Sequence, residues 1–387
     1  MIKKIIDLGK HPLADSFLKR NQFKLEKKEK LECFINTKTK KIFLKSKFPA
    51  NYRYNNVDYS YTSSNSRLSR EHWENFQNVV EKKYKIKNKN ILEIGSNDGY
   101  LLSKFQKNNN VLGIDSSATM VKIAKNNNIP SIKKVFDKKI SVQIKNKYGK
   151  FDIIIANHVL NHADDDLSFL VGCINLLDKN SILIIEVPYW GYQVKNSFFD
   201  QIYHEHRNYF TISYFNYLQK KLALKIIDLE MNNYHGKSIR IFMCKKKSKY
   251  KLSKKLEKFL LNESKLKLYD IKTYKTFTKN IETYKKIILT KLKKIANNSS
   301  MVVAIGASAK GNTFLNYMGL NSKIISAVTD SSLHKIGKYT PGSHIKIYED
   351  SFFRNKEKIY AIILSWNFSK MLKKNVLKYN KNIKFLK

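Results

Sequence analysis

The sequence predicts an α/β fold, because two features recur along most of the 387 residues. Apolar segments of strand length, such as ILEIG, VLGID, FDIIIAN and SILIIEV, alternate with stretches of helical periodicity. Glycine-bounded turns also follow two of the apolar segments, one near residue 95 and one near residue 306. This alternation is typical of parallel sheets covered by helices. At roughly 100 to 200 residues per domain, the length predicts two or three domains.

The pattern divides the chain into three predicted parts. Residues 1–69 contain only short apolar pieces and end in a Tyr/Ser-rich stretch, so we expect a small irregular N-terminal module. Residues 70–245 begin with an amphipathic helix and continue as alternating strands and helices. Residues 246–387 start with a Lys-rich helical arm to about residue 298, and a second strand and helix unit follows with MVVAIGA, a helix after Gly311, KIISAVTD and YAIILSW.

The charge balance is strongly basic, with 74 Lys and Arg against 31 Asp and Glu and a formal net charge of +43. A disordered polyelectrolyte is excluded, because 42% of the residues are hydrophobic and 12% are aromatic. Clustered Lys and Arg would indicate nucleic-acid binding, but here the lysines are scattered through every segment. We therefore favour a diffuse positive field, which helps to gather an anionic small substrate, over polynucleotide binding.

The cysteines predict a reduced compartment. Cys33, Cys173 and Cys244 lie far apart and form no C-x-x-C pair, so neither a disulfide framework nor a four-cysteine zinc site is expected. The N-terminus lacks the long apolar region of a signal peptide, and no stretch of about 18 apolar residues occurs. We expect a cytoplasmic protein without a membrane span.

The turn after the strand ILEIG predicts a cofactor loop. Gly95 and Gly99 bound it, and glycine lets the backbone approach a ligand at the carboxyl edge of the sheet. The next strand ends in Asp115, about 20 residues further on, where an acid can bind ribose hydroxyls. The spacing is not the G-x-G-x-x-G of a dinucleotide site, and Asp98 would repel a pyrophosphate.

An acidic loop of this kind favours a cationic sulfonium cofactor, S-adenosylmethionine (SAM), although a tight turn without a ligand remains an alternative. The predicted cofactor-binding residues are Glu93, Gly95, Ser96, Asn97, Asp98 and Gly99 in the loop, Asp115 on the ribose, Phe136 or Asp137 on the adenine, and Asn157 and His158 after FDIIIA.

Together with other segments, this loop resembles the class I SAM-dependent methyltransferases, and among them the sugar C-methyltransferases that act on nucleotide-linked 4-ketosugars. The similar segments follow one another along nearly the whole chain: IDLGKHPLADSFL, YSYTSSNS, EIGSNDGYLL, ANHVLNHADD, IIEVPYW, FFDQIYHEHRNYFT, HGKSIRIF, GASAKGNTFLNYMGL, PGSHI and LSWNF. The resemblance implies an N-terminal zinc-binding module, a central SAM domain and a C-terminal Rossmann-like domain. The chain departs from this pattern because only Cys33 remains in the module, so we expect no metal there.

The resemblance also implies the catalytic groups. Removal of a proton beside a ketone needs a base with a pKa near 7, and His is the usual one. By similarity to the family's Y-H-E-H motif, His206 is the general base, Glu205 orients it, and Tyr203 lies near the enolate oxygen. His162 and Tyr61 match further active-site positions. A metal site is the alternative for His-Glu-His, and purely structural roles are the alternative for His162 and Tyr61.

The turn GASAKGNT predicts a second anion-binding loop at a helix start. Lys310 precedes Gly311, so the spacing is not that of a Walker A loop. We expect Lys310 and Asn312 to bind the sugar nucleotide, and the alternative is that they only cap and solubilise a helix.

These observations predict a SAM-dependent C-methyltransferase that acts on a nucleotide-diphosphate 4-keto-deoxysugar as a monomer, without nucleic acid. One alternative is an O- or N-methyltransferase on a small anionic substrate, which would work without enolisation. Another, from a different class, is a basic nucleic-acid-binding protein with a vestigial methyltransferase fold.

Overall fold

The computed structural model describes residues 1–48, 53, 62–296 and 300–386. The strands, numbered in chain order, are β1 (Ile2–His11), β2 (Glu29–Asn36), β3 (Lys41–Lys45), β4 (Asn90–Ile94), β5 (Asn110–Asp115), β6 (Ser131–Lys133), β7 (Phe151–Asn157), β8 (Leu177–Pro188), β9 (Asn208–Tyr209), β10 (Leu224–Asn232), β11 (Ser238–Lys245), β12 (Met301–Ile305), β13 (Ala327–Thr329), β14 (Ile347–Tyr348), β15 (Ile359–Ile363) and β16 (Lys384–Phe385). The α-helices are α1 (Arg67–Tyr84), α2 (Tyr100–Phe105), α3 (Ala118–Asn126), α4 (Lys138–Tyr148), α5 (Asp166–Leu176), α6 (Trp190–Lys195), α7 (Ile212–Lys221), α8 (Lys255–Lys265), α9 (Ile271–Ala296), α10 (Ala309–Met318) and α11 (Ser369–Val376).

The central sheet has seven strands in the order β10-β11-β8-β7-β4-β5-β6. The strands from β6 to β8 in this order are parallel, whereas β11 runs antiparallel to both β8 and β10. β4 pairs in parallel with β5 on one side and β7 on the other, so the strand order reverses next to β4. Ligands of open α/β sheets bind at such a reversal, beyond the carboxyl ends of the strands.

The C-terminal sheet is parallel throughout, in the order β14-β13-β12-β15-β16. Its strand order reverses next to β12, which pairs with both β13 and β15. The predicted helix of this unit begins at Ala309, before Gly311, and the strand in KIISAVTD is limited to Ala327–Thr329. The predicted α/β fold with two parallel-strand units is confirmed, while the boundaries at residues 69/70 and 245/246 remain predictions.

The N-terminal segment is more regular than the sequence predicts. β1, β2 and β3 form an antiparallel sheet, and β9 from the distant Y-H-E-H region adds a fourth strand to it. Irregular pairing between Lys4 and Ile6 and between Asp7 and Lys10 interrupts the alternation of apolar residues, which explains why the sequence pattern is weak. Cys33 is buried in this sheet, and burial raises the pKa of its thiol.

The Lys-rich arm joins the outer parts of the molecule. Buried residues of α9, including Tyr274, Phe277 and Ile281, share one hydrophobic core with Leu31 of β2 and Leu315 of α10. The lysines of the helix lie on its other face, as the amphipathic pattern predicts. None of the described helices is both long and apolar enough to cross a membrane.

Candidate active site

The loop after β4 has the backbone conformation that its glycines make possible. Gly95 and Gly99 have φ values of 73° and 78°, in the left-handed region that other residues rarely adopt. A Cβ atom at Gly95 would lie 2.9 Å from Cβ of Val159, which follows β7. The loop and the end of β7 are therefore in close contact, and larger residues at position 95 are excluded.

Asp115 at the end of β5 orders this loop. Its Oδ2 accepts a hydrogen bond from the backbone N–H of Asn97 (2.8 Å), and its Oδ1 accepts one from the N–H of Ser117 (2.8 Å). Burial raises the pKa of Asp115, and the hydrogen bonds from these N–H groups oppose that rise. The carboxylate that the sequence assigns to the ribose thus lies beside the first loop, as the spacing predicts.

Residues just before α1 cover the acidic end of the loop. The backbone N–H of Ser63 donates to Oδ1 of Asn97 (2.8 Å), and the N–H and Oγ–H of Ser64 both donate to Oδ2 of Asp98 (2.9 and 2.6 Å). The sequence analysis assigned no role to these two serines, which belong to YSYTSSNS. Tyr61, in the same segment, lies outside the described residues.

Several buried polar atoms at this sheet edge have no hydrogen-bond partner among the described residues: Oε2 of Glu93, Oγ of Ser96, and Oδ1 and Nδ2 of Asn157. Burial, with the charges of Asp98 and Asp115, raises the pKa of Glu93 well above its usual range. A buried polar group without a partner costs free energy unless a ligand binds it. The residues present therefore fit a polar cofactor such as SAM.

The two candidates for the adenine have structural contacts. Phe136 packs against Phe169 with 5.2 Å between ring centroids. Oδ1 of Asp137 accepts the N–H of Ile140 (2.7 Å) and caps α4. Neither contact tests the adenine assignment, which stays a prediction.

His158 begins a buried ionic cluster that the sequence analysis missed. Its Nε2 lies 3.1 Å from Oε1 of Glu186, and Nε2 of His72 lies 2.9 Å from the same oxygen. Arg240 contacts Oε2 of Glu186 at 2.9 Å through Nε and at 2.8 Å through Nη2. Burial alone would raise the pKa of Glu186, but the hydrogen bonds from the two histidines and the charge of Arg240 hold it well below its usual range. IIEVPYW and HGKSIRIF contain Glu186 and Arg240, and only the tertiary structure joins them.

The four residues of Tyr203-His204-Glu205-His206 have different surroundings. Nδ1 of His206 lies 2.9 Å from the backbone oxygen of Gln201, and its Nε2 lies 2.6 Å from the hydroxyl oxygen of Tyr203. Burial, and then the neighbouring His162 and the charge of Lys310, hold the pKa of His206 well below 6.5, so the ring is neutral. A carbonyl oxygen only accepts, so Nδ1 carries the hydrogen and Nε2 accepts the O–H of Tyr203.

His204 points away from His206 and binds the N-terminal sheet. Its Nδ1 lies 3.1 Å from Oγ of Ser46, and its Nε2 lies 3.1 Å from the backbone oxygen of His11. Among the described residues, no group of three or more His, Cys, Asp and Glu side chains has the geometry to hold a metal ion. His204 therefore connects the Y-H-E-H segment to the N-terminal module.

Glu205 and His162 lie beside the His206–Tyr203 pair. Oε1 of Glu205 accepts the backbone N–H of Asp15 (3.0 Å), and burial, followed by the charge of Asp15, raises the pKa of Glu205 to about 7. Nδ1 of His162 donates to the backbone oxygen of Glu205 (2.8 Å), and its ring centroid lies 4.9 Å from that of His206. Burial lowers the pKa of His162 to about 4, so this ring is neutral as well. The structure thus brings His162 and His206 together and places Asp15 beside Glu205.

Lys310 and Asn312, at the start of α10, are buried rather than solvent-exposed, with 7% and 0% of their surface accessible. Nζ of Lys310 donates to the backbone oxygen of His235 (2.8 Å), and Nδ2 of Asn312 donates to the backbone oxygen of Ala14 (2.6 Å). Ser308 caps α10 by accepting the N–H of Gly311 (3.1 Å). Both side chains therefore face the interior of the molecule, toward the central sheet and the N-terminal module.

The carboxyl edges of the two parallel sheets meet at the turn His235-Gly236. Nε1 of Trp366, which follows β15, donates to Oδ2 of Asp200 (2.5 Å), and the Trp366 ring lies 5.3 Å from Nζ of Lys310. A Cβ atom at Gly236 would lie 2.3 Å from Cη2 of Trp366. The predicted sugar-nucleotide and methyl-donor residues therefore converge on one region.

Two surface cavities lie apart from this region. A shallow cavity of about 360 Å³ is lined by residues that include Lys83, Tyr84 and Tyr250, and another of about 350 Å³ is lined by residues that include Lys4 and Tyr274. None of the predicted site residues lines either cavity. The candidate site is identified instead by its buried polar groups and their altered pKa values.

Comparisons with known proteins agree with the predicted class. Residues 66–229 match the family described as a methyltransferase domain, and residues 233–386 match the family described as the C-methyltransferase C-terminal domain. The chain is 26% identical over 280 residues to the C-methyltransferase NovU of Streptomyces niveus, with 72% of this chain and 67% of NovU covered.

Similar solved structures include two methyltransferases. The magnesium protoporphyrin IX methyltransferase of Synechocystis PCC 6803 with bound SAM is 14% identical, with a TM-score of 0.36 over 46% of this chain and 79% of that chain. A SAM-dependent methyltransferase of Clostridium acetobutylicum is 18% identical, with a TM-score of 0.36 over 45% of this chain and 91% of that chain.

Proposed function

Because the chain is a SAM-dependent C-methyltransferase that joins a methyltransferase domain to a C-methyltransferase C-terminal domain, we propose that it methylates a carbon beside the ketone of a nucleotide-diphosphate 4-keto-deoxysugar. The substrate class comes from the sequence resemblance. The reaction needs a base for the C–H proton, a group that stabilises the enolate, and a positioned methyl donor. The proposal assigns each task to buried residues of the region between the two parallel sheets.

The neutral His206–Tyr203 pair is the observation that carries the proposal. The His206 imidazole is buried and neutral, its Nδ1 donates to the Gln201 carbonyl, and its Nε2 is therefore the nitrogen that can accept a proton. Because Nε2 accepts the Tyr203 O–H, the two residues act as a unit. The Tyr203 oxygen takes the proton from carbon as its own hydrogen passes to His206. A methyl transfer to oxygen or nitrogen would form no enolate, so proton exchange beside the ketone distinguishes it from the proposed reaction.

The methyl donor would be held by the loop after β4 and by the ends of β5 and β7. We propose that Ser96, Asn97 and Asp98 face the amino-acid part of SAM, that Asp115 binds its ribose, and that Asn157 and His158 lie near the methyl group. When bound, SAM supplies an electrophilic methyl group on a sulfonium. The contact between His158, just after β7, and Glu186 of β8 fixes the position of His158 for this purpose.

The substrate would enter between the carboxyl edges of the two sheets, where Asn312 and the start of α10 face the N-terminal module. The nucleotide-sugar assignment of Lys310 and Asn312 fits their burial at this edge. His162, 4.9 Å from His206, would contact the sugar ring. We further propose that the chain acts as a monomer in the cytoplasm and without nucleic acid. Light scattering after size-exclusion chromatography, and RNA binding measured against salt concentration, test these statements.

The test is mass spectrometry of the protein incubated with SAM and a panel of nucleotide-linked 4-ketosugars, with fragmentation to place the methyl group. We expect one added methyl on the carbon beside the ketone. His206→Asn should lose transfer while it keeps SAM affinity, as measured by calorimetry, and Lys323→Met, an exposed substitution, serves as the control. A methyl group on oxygen, or equal loss of SAM binding and transfer in His206→Asn, would contradict the proposal.

A further inference from the structure

Because Tyr203 donates its hydrogen to His206, it is not available to donate to the ketone oxygen of the substrate, and another residue must stabilise that oxygen. In the tautomer that the structure requires, the Tyr203 hydrogen points at Nε2 of His206, 2.6 Å away. That hydrogen is therefore not directed at a ketone oxygen, although the sequence resemblance assigns Tyr203 to the enolate oxygen. An enolate oxygen carries nearly a full negative charge, and an active site needs a donor or a cation that faces it.

Besides Arg240, which is paired with Glu186, three cationic side chains lie in this part of the molecule, and two of them are already paired with a carboxylate. Arg53 is buried and Arg207 is half-buried, and both contact the carboxylate of Asp164. Arg53 also donates to the backbone oxygen of His162. Lys310 is the third, and its ammonium group makes no ion pair within 4.0 Å in the described part of the chain.

A short hydrogen-bonded path fixes Lys310 relative to the base. The backbone oxygen of His235 accepts both Nζ of Lys310 (2.8 Å) and Nε2 of Gln201 (2.9 Å). The backbone oxygen of the same Gln201 accepts Nδ1 of His206 (2.9 Å). Gln201 therefore connects the two: its backbone binds His206, and its side chain binds the His235 carbonyl group to which Lys310 donates.

Backbone strain at the acceptor supports a functional role. His235, Gly236 and Lys237 have φ values of 48°, 82° and 88°, three successive residues in the left-handed region. Such strain persists where the surrounding structure demands one geometry, and it is common at active sites. Here it turns the His235 carbonyl toward Lys310 and Gln201 at once.

We propose that Lys310 is a further catalytic residue, whose ammonium group binds the ketone oxygen of the substrate and stabilises the charge that this oxygen gains when the adjacent carbon loses its proton. The inference rests on the proposed function. In this step the C–H bond breaks, the proton passes to the Tyr203 oxygen, and the Tyr203 hydrogen passes to His206. The C–H electron pair forms the carbon–carbon double bond, and the carbonyl π pair moves to the oxygen that Lys310 contacts.

The charges around Lys310 agree with this role. Burial lowers the pKa of Lys310 to about 8, and the negative charge of Asp200 opposes that shift. The Lys310 charge in turn lowers the pKa of His206, of His158 and of His235, so it lies within electrostatic reach of all three imidazoles. A cation in this position keeps the base neutral and favours an anionic oxygen beside it.

The test separates enolisation from methyl transfer. The probe is thymidine-diphosphate 4-keto-6-deoxyglucose, incubated in D₂O with S-adenosylhomocysteine in place of SAM, and exchange of the proton beside the ketone is followed by mass spectrometry. We expect Lys310→Met to slow both this exchange and methyl transfer by roughly 100- to 1,000-fold, the usual loss for one oxyanion donor. The KM for the nucleotide sugar should change less than threefold. Lys323→Met, which removes an exposed positive charge from the same unit, should behave as wild type.

A second variant, Lys310→Arg, tests the same role if Lys310→Met does not fold. Lys310→Arg keeps the charge and should retain part of the exchange activity. The wild-type rate should fall above pH 8 as Lys310 loses its proton, and Lys310→Arg should lose this alkaline limb. The groups that face Lys310 are Asp200, Trp366 and His235. The pKa of His235 lies well below 6.5, Trp366 does not titrate, and burial raises the pKa of Asp200 from its usual 3.8.

The outcomes distinguish this inference from the proposed function. A rise of KM in Lys310→Met with unchanged exchange at saturating substrate would show a diphosphate-binding lysine and would overturn the inference alone. An unchanged alkaline limb in Lys310→Arg would overturn it as well. If the wild-type chain neither exchanges nor methylates any 4-ketosugar of the panel, the proposed function fails and the inference fails with it.

Discussion

The hydroxyl oxygen of Tyr203 lies 2.6 Å from Nε2 of His206, and the hydrogen between them belongs to the tyrosine. This follows because Nδ1 of His206 must donate to the Gln201 carbonyl, and the ring is neutral. In our proposal, this hydrogen-bonded pair is the base of the reaction.

Tyr203→Phe should therefore impair proton removal. The variant lacks the oxygen that contacts the substrate, and we expect kcat to fall by about 10²- to 10⁴-fold, the usual contribution of general base catalysis. SAM affinity should be unchanged, because Tyr203 lies outside the loop after β4. The measurement is kcat with the accepted sugar nucleotide, with exposed Tyr379→Phe as the control. Full activity in Tyr203→Phe would show that His206 takes the proton directly.

Asp115→Asn should weaken SAM binding. The carboxylate accepts the N–H groups of Asn97 and Ser117, and in our proposal it also binds the ribose. Hydrogen bonds to a charged group contribute about 1.5 to 3 kcal/mol each, so we expect the Kd for SAM to rise at least tenfold. Calorimetric titration checks this, and exposed Asp178→Asn is the matched control. An unchanged Kd would exclude Asp115 from the cofactor site.

Glu205 should make the free energy of unfolding fall as the pH rises. Its pKa is raised to about 7 by burial and by Asp15, against an ordinary value of 4.5. Between pH 4.5 and 7 the folded chain therefore keeps a proton that the unfolded chain has lost. Glu205 destabilises the fold progressively over this window, by up to about 1.4 kcal/mol per pH unit.

Glu205→Gln removes this titration. The stability of the variant relative to wild type should increase by about 2 to 3 kcal/mol from pH 4.5 to pH 7 and remain constant above pH 7. Urea unfolding at several pH values measures the difference, and Glu257→Gln, at an exposed position, should show no such trend. A pH-independent difference for Glu205→Gln would contradict the assigned protonation.

Gly236→Ala should disturb the contact between the two parallel sheets. A Cβ atom there would lie 2.3 Å from Cη2 of Trp366, at a residue with a φ of 82°. Trp366 must then move, and its hydrogen bond to Asp200 is lost. We expect a destabilisation of about 2 to 4 kcal/mol, the sum of an overpacking cost and a strained φ.

A double-mutant cycle isolates the clash. With Trp366→Ala the steric conflict disappears and only the strain of φ remains, so the two substitutions should be non-additive by about 1 to 3 kcal/mol. Denaturant unfolding of the four proteins gives the coupling. Simple additivity would mean that Trp366 does not rest on Gly236 in solution.

The sequence predicted the elements that depend on local pattern. Strand and helix periodicity indicated β4, β5, β7 and β8 with the helices α2, α3 and α5, but not the short β6 or α4. Gly95, Gly99 and Asp115 indicated the cofactor loop, because turn geometry and strand ends leave local signals. The Y-H-E-H segment and His162 were found through resemblance, and the structure does place their rings together.

Only the tertiary structure decided which distant residues meet. The bulged β1 hid the N-terminal sheet, and nothing local indicates that β9 completes it. Glu186 between two histidines and Arg240, Asp15 beside Glu205, and the burial of Lys310 all depend on long-range packing. A residue's own neighbours in sequence set its backbone conformation. Its desolvation and its charged partners, and hence its pKa and its chemistry, come from segments up to several hundred residues away.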